Sequence, residues 1–373
     1  AQIKLRFSGF GDFIAGYTSG DYADPDARGM FEAFGDDTDP VNTNRGFGLS
    51  GTDFVVIADM TEALSFIGEV NLQTGRGGSN EIEIDVERFF VDYLIDPKFN
   101  LQAGLFFTPI GYNNRFLYAR AWLMNSIQVP DFYEEELNLV PTHSIGVLAH
   151  GEFSLGGQHR LGYAASVGNG RAAVPDSAVY ARDPSRSKEV TGLVEWLIPG
   201  YGESRIGVSG WYGGIEAAKI DNPGDFSAAD DTQALEMSER GLDLFLVVNT
   251  KRFSVNAEIV RSVQTDRLGN LASPTYTMKG GLAEASLHVL DARLHPYVRY
   301  DKTILPDGGG PYLSLRENGG DGFVRVFVPE FEAVMGGAAF DVNAHLRLKV
   351  ELIRHMSGPR EKYGLAFQSA FGF

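Results

Sequence analysis

At 373 residues, 43% hydrophobic and with a mean hydropathy of −0.12, the chain can bury a core, yet its longest near-apolar run, 333–340 (AVMGGAAF), is far short of the ~18–20 residues a membrane-spanning helix needs. A net charge of −17 leaves no excess of Lys and Arg to neutralise phosphates, which excludes a nucleic-acid partner. The absence of cysteine excludes disulfides and thiolate metal sites, and suits a chain that crosses an oxidising compartment unfolded.

Segments of about ten alternating residues recur along the chain, rich in Phe, Tyr and β-branched residues and separated by turn signals. The pattern predicts strands over 3–17, 49–60, 63–74, 81–95, 99–108, 142–153, 159–168, 187–198, 205–215, 237–250, 253–263, 275–290, 294–303, 328–340, 345–356 and 362–373. The spacers between them alternate in length. Short turns such as Thr61-Glu62, Asp96-Pro97-Lys98 and Asp291-Ala292-Arg293 trade places with long polar stretches at 18–48, 109–141, 169–186, 216–236 and 304–327. Sorting of short turns to one end and long loops to the other is the mark of a transmembrane β-barrel, whose tilted strands need only ~9–11 residues each. The expected fold is therefore all-β, one sixteen-stranded antiparallel transmembrane barrel over 1–373, with short periplasmic turns and long extracellular loops.

The faces agree with that expectation. Ile3, Leu5, Phe7, Phe13 and Tyr17 share one face of the first strand, and Lys4, Arg6, Ser8 and Asp12 the other. Near the end, Leu346, Leu348, Val350 and Leu352 oppose Arg347, Lys349 and Glu351; in 294–301, Val298 and Tyr300 oppose Arg299 and Asp301. Two places resist: Arg88 and Asp92 fall on the lipid face unless a bulge intervenes, and 187–198 has no evident register. Closure satisfies every backbone donor and acceptor inside hydrocarbon, and sixteen strands leave an aqueous lumen. Trp196, Tyr201, Tyr212, Tyr363 and Phe373 fall near strand ends, where aromatic girdles sit.

Motifs for covalent chemistry are weak. Gly46 to Gly51 (GFGLSG) matches G-x-G-x-x-G but opens a strand with no following helix, and the seven histidines show no H-E-x-x-H spacing. The first long loop carries Asp21, Asp24, Asp26, Glu32, Asp36, Asp37 and Asp39 against Arg28 and Arg45, a set that reads either as a solvated loop or as oxygen ligands for a divalent cation. No cofactor or metal is expected.

The last strand, KYGLAFQSAFGF, puts Tyr363, Phe367, Phe371 and the terminal Phe373 on one face, and so resembles the assembly signal of bacterial outer-membrane proteins. Phe90 to Gly111 (FVDYLIDPKFNLQAGLFFTPIG) resembles the fourth and fifth strands of trimeric porins of the phosphate-selective O/P family, and Tyr163 to Gly170 (YAASVGNG) their seventh. The resemblance implies a homotrimer in the bacterial outer membrane, reached after signal-peptide cleavage, with membrane lipid, lipopolysaccharide and the barrel-insertion machinery as partners. It implies that 109–141 folds into the lumen as a constriction, with Arg115, Arg120, Asp131, Glu134, Glu135 and Glu136 as its charges. Lys4, Arg6, Asp12, Arg299, Asp301, Arg347, Lys349 and Glu351 would form the lumen wall around a mixed-sign eyelet with a mild cation bias. The family's basic guiding positions are filled by Leu105 and Phe107, so phosphate selectivity does not carry over. Passive diffusion of small hydrophilic solutes is the expected function, without enzymatic activity; the alternatives are a scaffold barrel holding a partner protein and an all-β hydrolase.

Overall fold

The strands follow from alternation that persists for ten or more residues, too long for a hairpin to bury on its own. The computed structural model describes residues 3–18, 45–74, 82–118, 121–133, 139–171, 188–200, 202, 204–221, 232–269, 273, 275–306, 315–317, 323–325, 330–357 and 362–373. In chain order the strands are β1 (Lys4–Thr18), β2 (Arg45–Asp59), β3 (Leu64–Thr74), β4 (Ile82–Asp96), β5 (Phe99–Phe107), β6 (His143–Gly156), β7 (His159–Asn169), β8 (Lys188–Ile198) and β9 (Ser204–Asp221). They continue with β10 (Thr232–Asn249), β11 (Phe253–Asp266), β12 (Thr275–Leu287), β13 (Leu294–Ile304), β14 (Leu315–Glu317), β15 (Phe323–Arg325), β16 (Phe331–Asn343), β17 (Leu346–His355) and β18 (Lys362–Gly372). Each sequence-expected strand is present. The short β14 and β15, not expected, form a hairpin within the connection from β13 to β16.

All the long strands pair antiparallel with both neighbours, and β18 closes on β1 from Phe10↔Gly372 to Thr18↔Gly364. The seam extends one residue further: Gly9 N–H donates to the Phe373 carbonyl at 3.0 Å, and Phe373 N–H to the Gly9 carbonyl at 2.9 Å. The chain is thus a closed sixteen-stranded transmembrane barrel with no free edge. Its outer surface is greasy: Ile3, Leu5 and Phe7 on β1, Leu242 and Leu244 on β10, and Tyr363 and Phe367 on β18 are all exposed, while Asp12, Asp243 and Gln368 are buried on the inner side. Aromatic residues Phe7, Tyr93, Phe153, Trp196, Phe253 and Phe373 stand outward toward the short-turn end.

A bulge resolves the misfit on β4. Pairing with β3 shifts between Glu69 and Val70, so Ile82, Ile84 and Val86 face out before Glu87, and Phe89, Val91 and Tyr93 face out after it. Arg88 and Asp92 are thereby turned inward, to an ion pair with Glu69 and to a contact of 3.4 Å with His150. In β8, Val190, Val194 and Trp196 face out and Glu189, Thr191, Leu193, Glu195 and Leu197 are buried inside. Its register was obscure because two leucines lie on the inner face. The GFGLSG stretch is extended strand in β2, paired to β1.

Candidate functional site: a loop moored inside the barrel

Segment 108–142 leaves and re-enters the wall at one point. Thr108 N–H donates to the Thr142 carbonyl at 2.9 Å, and the fully buried Asn114 binds both stem strands, giving its amide hydrogens to the carbonyls of Thr108 (3.0 Å) and Thr142 (3.1 Å). A short helical turn, Asn113–Leu117, follows. The first amides of such a turn have no partner within it. Here Glu258 of β11 takes them: its Oε2 accepts from Tyr112 N–H (3.3 Å), Asn113 N–H (3.0 Å) and the Asn113 side chain (2.6 Å). The Tyr133 hydroxyl donates to the other oxygen of Glu258. Burial, then the Glu258 carboxylate, hold the Tyr133 phenol well above its usual range, so it remains a donor. Gly111 has φ +65°, and a Cβ there would meet both the Tyr133 hydroxyl and the Glu258 carboxylate. Only glycine allows this approach.

Apolar contacts fill the space behind these bonds. Ile110, Phe132, Tyr133, Leu139 and Val140 are at most 1% exposed and pack on inward Trp211, Ile215, Met237, Val260, Met278, Leu282 and Leu305 from the β9–β13 side. A Cβ on Gly280 would lie 2.7 Å from the Phe132 side chain, so the bare backbone of β12 forms the bed for that ring. Further along the loop, Ile127 joins Ile14, Phe331, Ala333, Met335, Ile353 and Ala366, inner-face residues of β1 and β16–β18. The loop therefore bridges the lumen between two walls.

Basic residues of the far wall hold the middle of the loop. Arg299 donates to Ser126 Oγ at 2.9 Å and the Gln128 carbonyl at 2.7 Å, and pairs with Asp301. Lys349 Nζ donates to the carbonyls of Ala121 (2.5 Å) and Ser126 (2.9 Å), and Arg347 reaches the Met124 carbonyl at 3.4 Å while binding Asp341 through two nitrogens. Acids take the loop's donors: Ile127 N–H gives to Glu351 (3.1 Å), Asn125 to Glu284 (3.0 Å), and Asp131 N–H to Asp301 (3.4 Å). Beneath the loop, toward the short turns, lies a solvent-open recess lined by Asn113, Asn125, Asn256, Glu284 and Arg299 among others.

These placements correct several expectations. Arg299, Asp301, Lys349, Glu351 and Asp131 are at most 3% exposed, buried under the loop as its moorings instead of facing open water across an eyelet. The loop's backbone carbonyls compete for the bases, which is why they are not free opposing charges. Lys4 and Arg6 are exposed near the short-turn end, Arg6 paired with Asp59 at 3.0 Å, away from the loop. Asp12 is buried on the inner face and accepts from Gln368 at 2.6 Å. Arg115 bonds Glu195 at 3.4 Å, which also holds Arg205, and both guanidinium groups lie over the Phe116 ring. Leu105 pairs with Phe89 and Ile145 in the sheet, and Phe107 is buried against Tyr118 and His143 with the Arg88 guanidinium over its ring. Arg120, Glu134, Glu135, Glu136 and Tyr201 lie outside the described residues, as do the acids of the first loop.

Sequence reasoning missed Glu258, Asn114 and the apolar inner seat. A usable signal was present in β10, where Leu242, Leu244 and Leu246 alternate with Phe245 and Val247: a strand apolar on both faces has something lying on its inner face.

Neither a family model nor a curated protein matches this chain. Solved structures do. OmpT, an outer membrane protein of Vibrio cholerae in its trimer form, aligns over 100% of both chains with a TM-score of 0.60 at 8% identity. An anion-selective porin from Comamonas acidovorans aligns over 100% of both with 0.57 at 10%. OprB of Pseudomonas putida aligns over 100% of this chain and 94% of its own with 0.54 at 9%. At such identities the likeness is one of fold: the chain is similar to sixteen-stranded outer-membrane barrels along its whole length.

Proposed function

We propose that this protein is an outer-membrane porin through which small hydrophilic solutes diffuse down their gradients, with segment 108–142 as the element that narrows the lumen. The observation that carries this is the combination of a closed sixteen-stranded barrel with a long loop held inside it by buried polar bonds. A loop built only to decorate the outside has no use for such moorings. Its bonds go to β8, β9, β11–β13 and β17, which leaves the β2–β4 side as the passage. There Asp85 stands exposed on the inner face, with Asp53 buried on the same face and the charge of Glu69 matched by Arg88, and this exposed acid supports a mild cation preference. Assembly as a homotrimer, insertion through the Tyr363, Phe367, Phe371 and Phe373 face, and kinship with phosphate-selective porins are parts of the same proposal. Phosphate preference is not, since neither Leu105 nor Phe107 brings charge to the fifth strand.

Proteoliposome swelling tests it. Vesicles carrying the protein should swell in an isotonic pentose and markedly more slowly in a tetrasaccharide. Absence of swelling in either sugar, with insertion verified, would contradict a diffusion pore. The apolar seat that fills the β9–β13 side favours a second reading, a scaffold barrel, and that outcome is what it requires.

A further inference from the structure

The lipid-facing surface of β10–β12 carries a graded pattern. Successive outward rows, followed from the short turns upward, are Val248–Val255–Ala285, Leu246–Ala257–Ala283 and Leu244–Ile259–Gly281, all apolar. Next comes Leu242–Arg261–Lys279, then Arg240–Val263–Thr277, then Ser238–Thr265–Thr275. Arg240, Arg261 and Lys279 are all exposed, and they sit where the apolar band gives way to hydroxyls. From Phe253 to Arg261 is eight residues, or about 27 Å along the strand and ~20 Å across the membrane at a barrel tilt of ~40°. That is close to the ~25 Å of a barrel's apolar band, so the bases stand at headgroup depth on the long-loop side.

Arg261 and Lys279 face each other directly across the β11–β12 ladder, with Arg240 on the diagonal beside them. Like charges directly opposed across a sheet are destabilising, and more so against hydrocarbon. Elsewhere the outer face compensates its charge: Lys302 of β13, opposite Gly281, gives 2.8 Å to Glu332, which also accepts from the Tyr300 hydroxyl at 2.7 Å. Among the described residues, the side chains of Arg240, Arg261 and Lys279 have no hydrogen bond or ion pair of their own. Tyr212, 64% exposed, stands opposite Arg240, and the hydroxyl row lies just above.

We propose that Arg240, Arg261 and Lys279 form a site for the phosphorylated headgroup of a glycolipid in the leaflet at the long-loop end. Guanidinium groups bind phosphate oxygens bidentately, the ammonium supplies a third cation, and Ser238, Thr265 and Thr275 offer hydroxyls to the sugar above. A bound anion turns the repulsion into a bridge that staples three strands. That this leaflet is the outer one rests on the porin orientation proposed above.

The test is native mass spectrometry of the detergent-purified protein with bis-phosphorylated lipid A, phosphatidylethanolamine as zwitterionic control and inorganic phosphate as competitor. The wild type should retain lipid A adducts that millimolar phosphate does not remove. The triple variant R240Q/R261Q/K279Q should retain at least fivefold less while remaining folded by circular dichroism and equal in conductance. A second variant, K302Q/E332Q, removes the compensated pair on the same outer face, controls for general surface change and should lose less than twofold. Equal lipid A retention in wild type and triple variant, or full displacement by free phosphate, would overturn the proposal, as would dissociation of subunits in the variant with lipid retention unchanged. A protein silent in swelling assays that still binds lipid A through these residues would refute the porin reading and leave this site standing.

Discussion

Replacing Arg299 by Met removes the centre of the loop's attachment while keeping the length of the side chain. Arg299 gives the loop two hydrogen bonds, of 2.9 and 2.7 Å, from a group only 2% exposed. Hydrogen bonds from a charged donor contribute about 1.5–3 kcal/mol each, so the docked loop loses at least ~3 kcal/mol. At 1.4 kcal/mol per tenfold, the undocked population rises about a hundredfold. Asp301, fully buried, is also left without its partner, a loss that costs about 3–5 kcal/mol when one member of a buried pair is removed. Limited proteolysis reads the loop directly, because cleavage tracks the open population when reclosing is fast. R299M should be cut within 109–141 far faster than wild type, with the barrel still folded, and its single channels should show larger current noise. The double variant R299M/D301N, which also removes the Asp301 charge, should recover part of the barrel's thermal stability but not the loop's docking. Equal cleavage and equal noise in R299M and wild type would refute the mooring role.

Gly280→Leu puts a side chain where Phe132 lies, and overpacking of this kind costs about 1–3 kcal/mol; the loop should lift and conductance rise, whereas unchanged conductance with normal folding would mean that Phe132 does not seat there. Gly9→Val places a Cβ 2.5 Å from the Asp53 carbonyl and against the Phe373 ring, so the seam should fail to close and the heat-modifiable folded band should vanish on gels; a normal folded band would contradict the seam geometry. Asp85→Asn removes an exposed inner-face acid on β4, and the reversal potential in a KCl gradient should move toward lower cation preference; no movement would place the passage elsewhere.

The wall of this protein is legible in its sequence because lipid and lumen impose opposite demands on successive residues. Each strand then declares its faces: Leu348 and Leu352 against Lys349 and Glu351, or Val298 and Tyr300 against Arg299 and Asp301. The signal failed where that demand is relaxed. In β4 one extra residue, Glu87, swaps the faces: Arg88 and Asp92 on the lipid side of an unbroken alternation announced a bulge, but nothing in the local composition located it. In β8, Leu193 and Leu197 face inward, which a water-filled lumen would not favour. The roles of the charges were less legible still. Arg299 and Lys349 are on the inner face as alternation requires, but whether an inward base meets water or a loop carbonyl depends on a segment with no periodicity, whose path is fixed by contacts far off in sequence. Glu258 shows the same limit, since its partners, Tyr112, Asn113 and Tyr133, are more than a hundred residues away.

The most direct test of the account is planar-bilayer recording of the detergent-purified protein in a KCl gradient, with step size and reversal potential taken together. Discrete steps are expected, grouped in threes, of smaller conductance than an unobstructed sixteen-stranded barrel would give, with a reversal potential on the cation side. A silent bilayer with insertion independently verified would contradict this expectation and leave a barrel closed by its own loop.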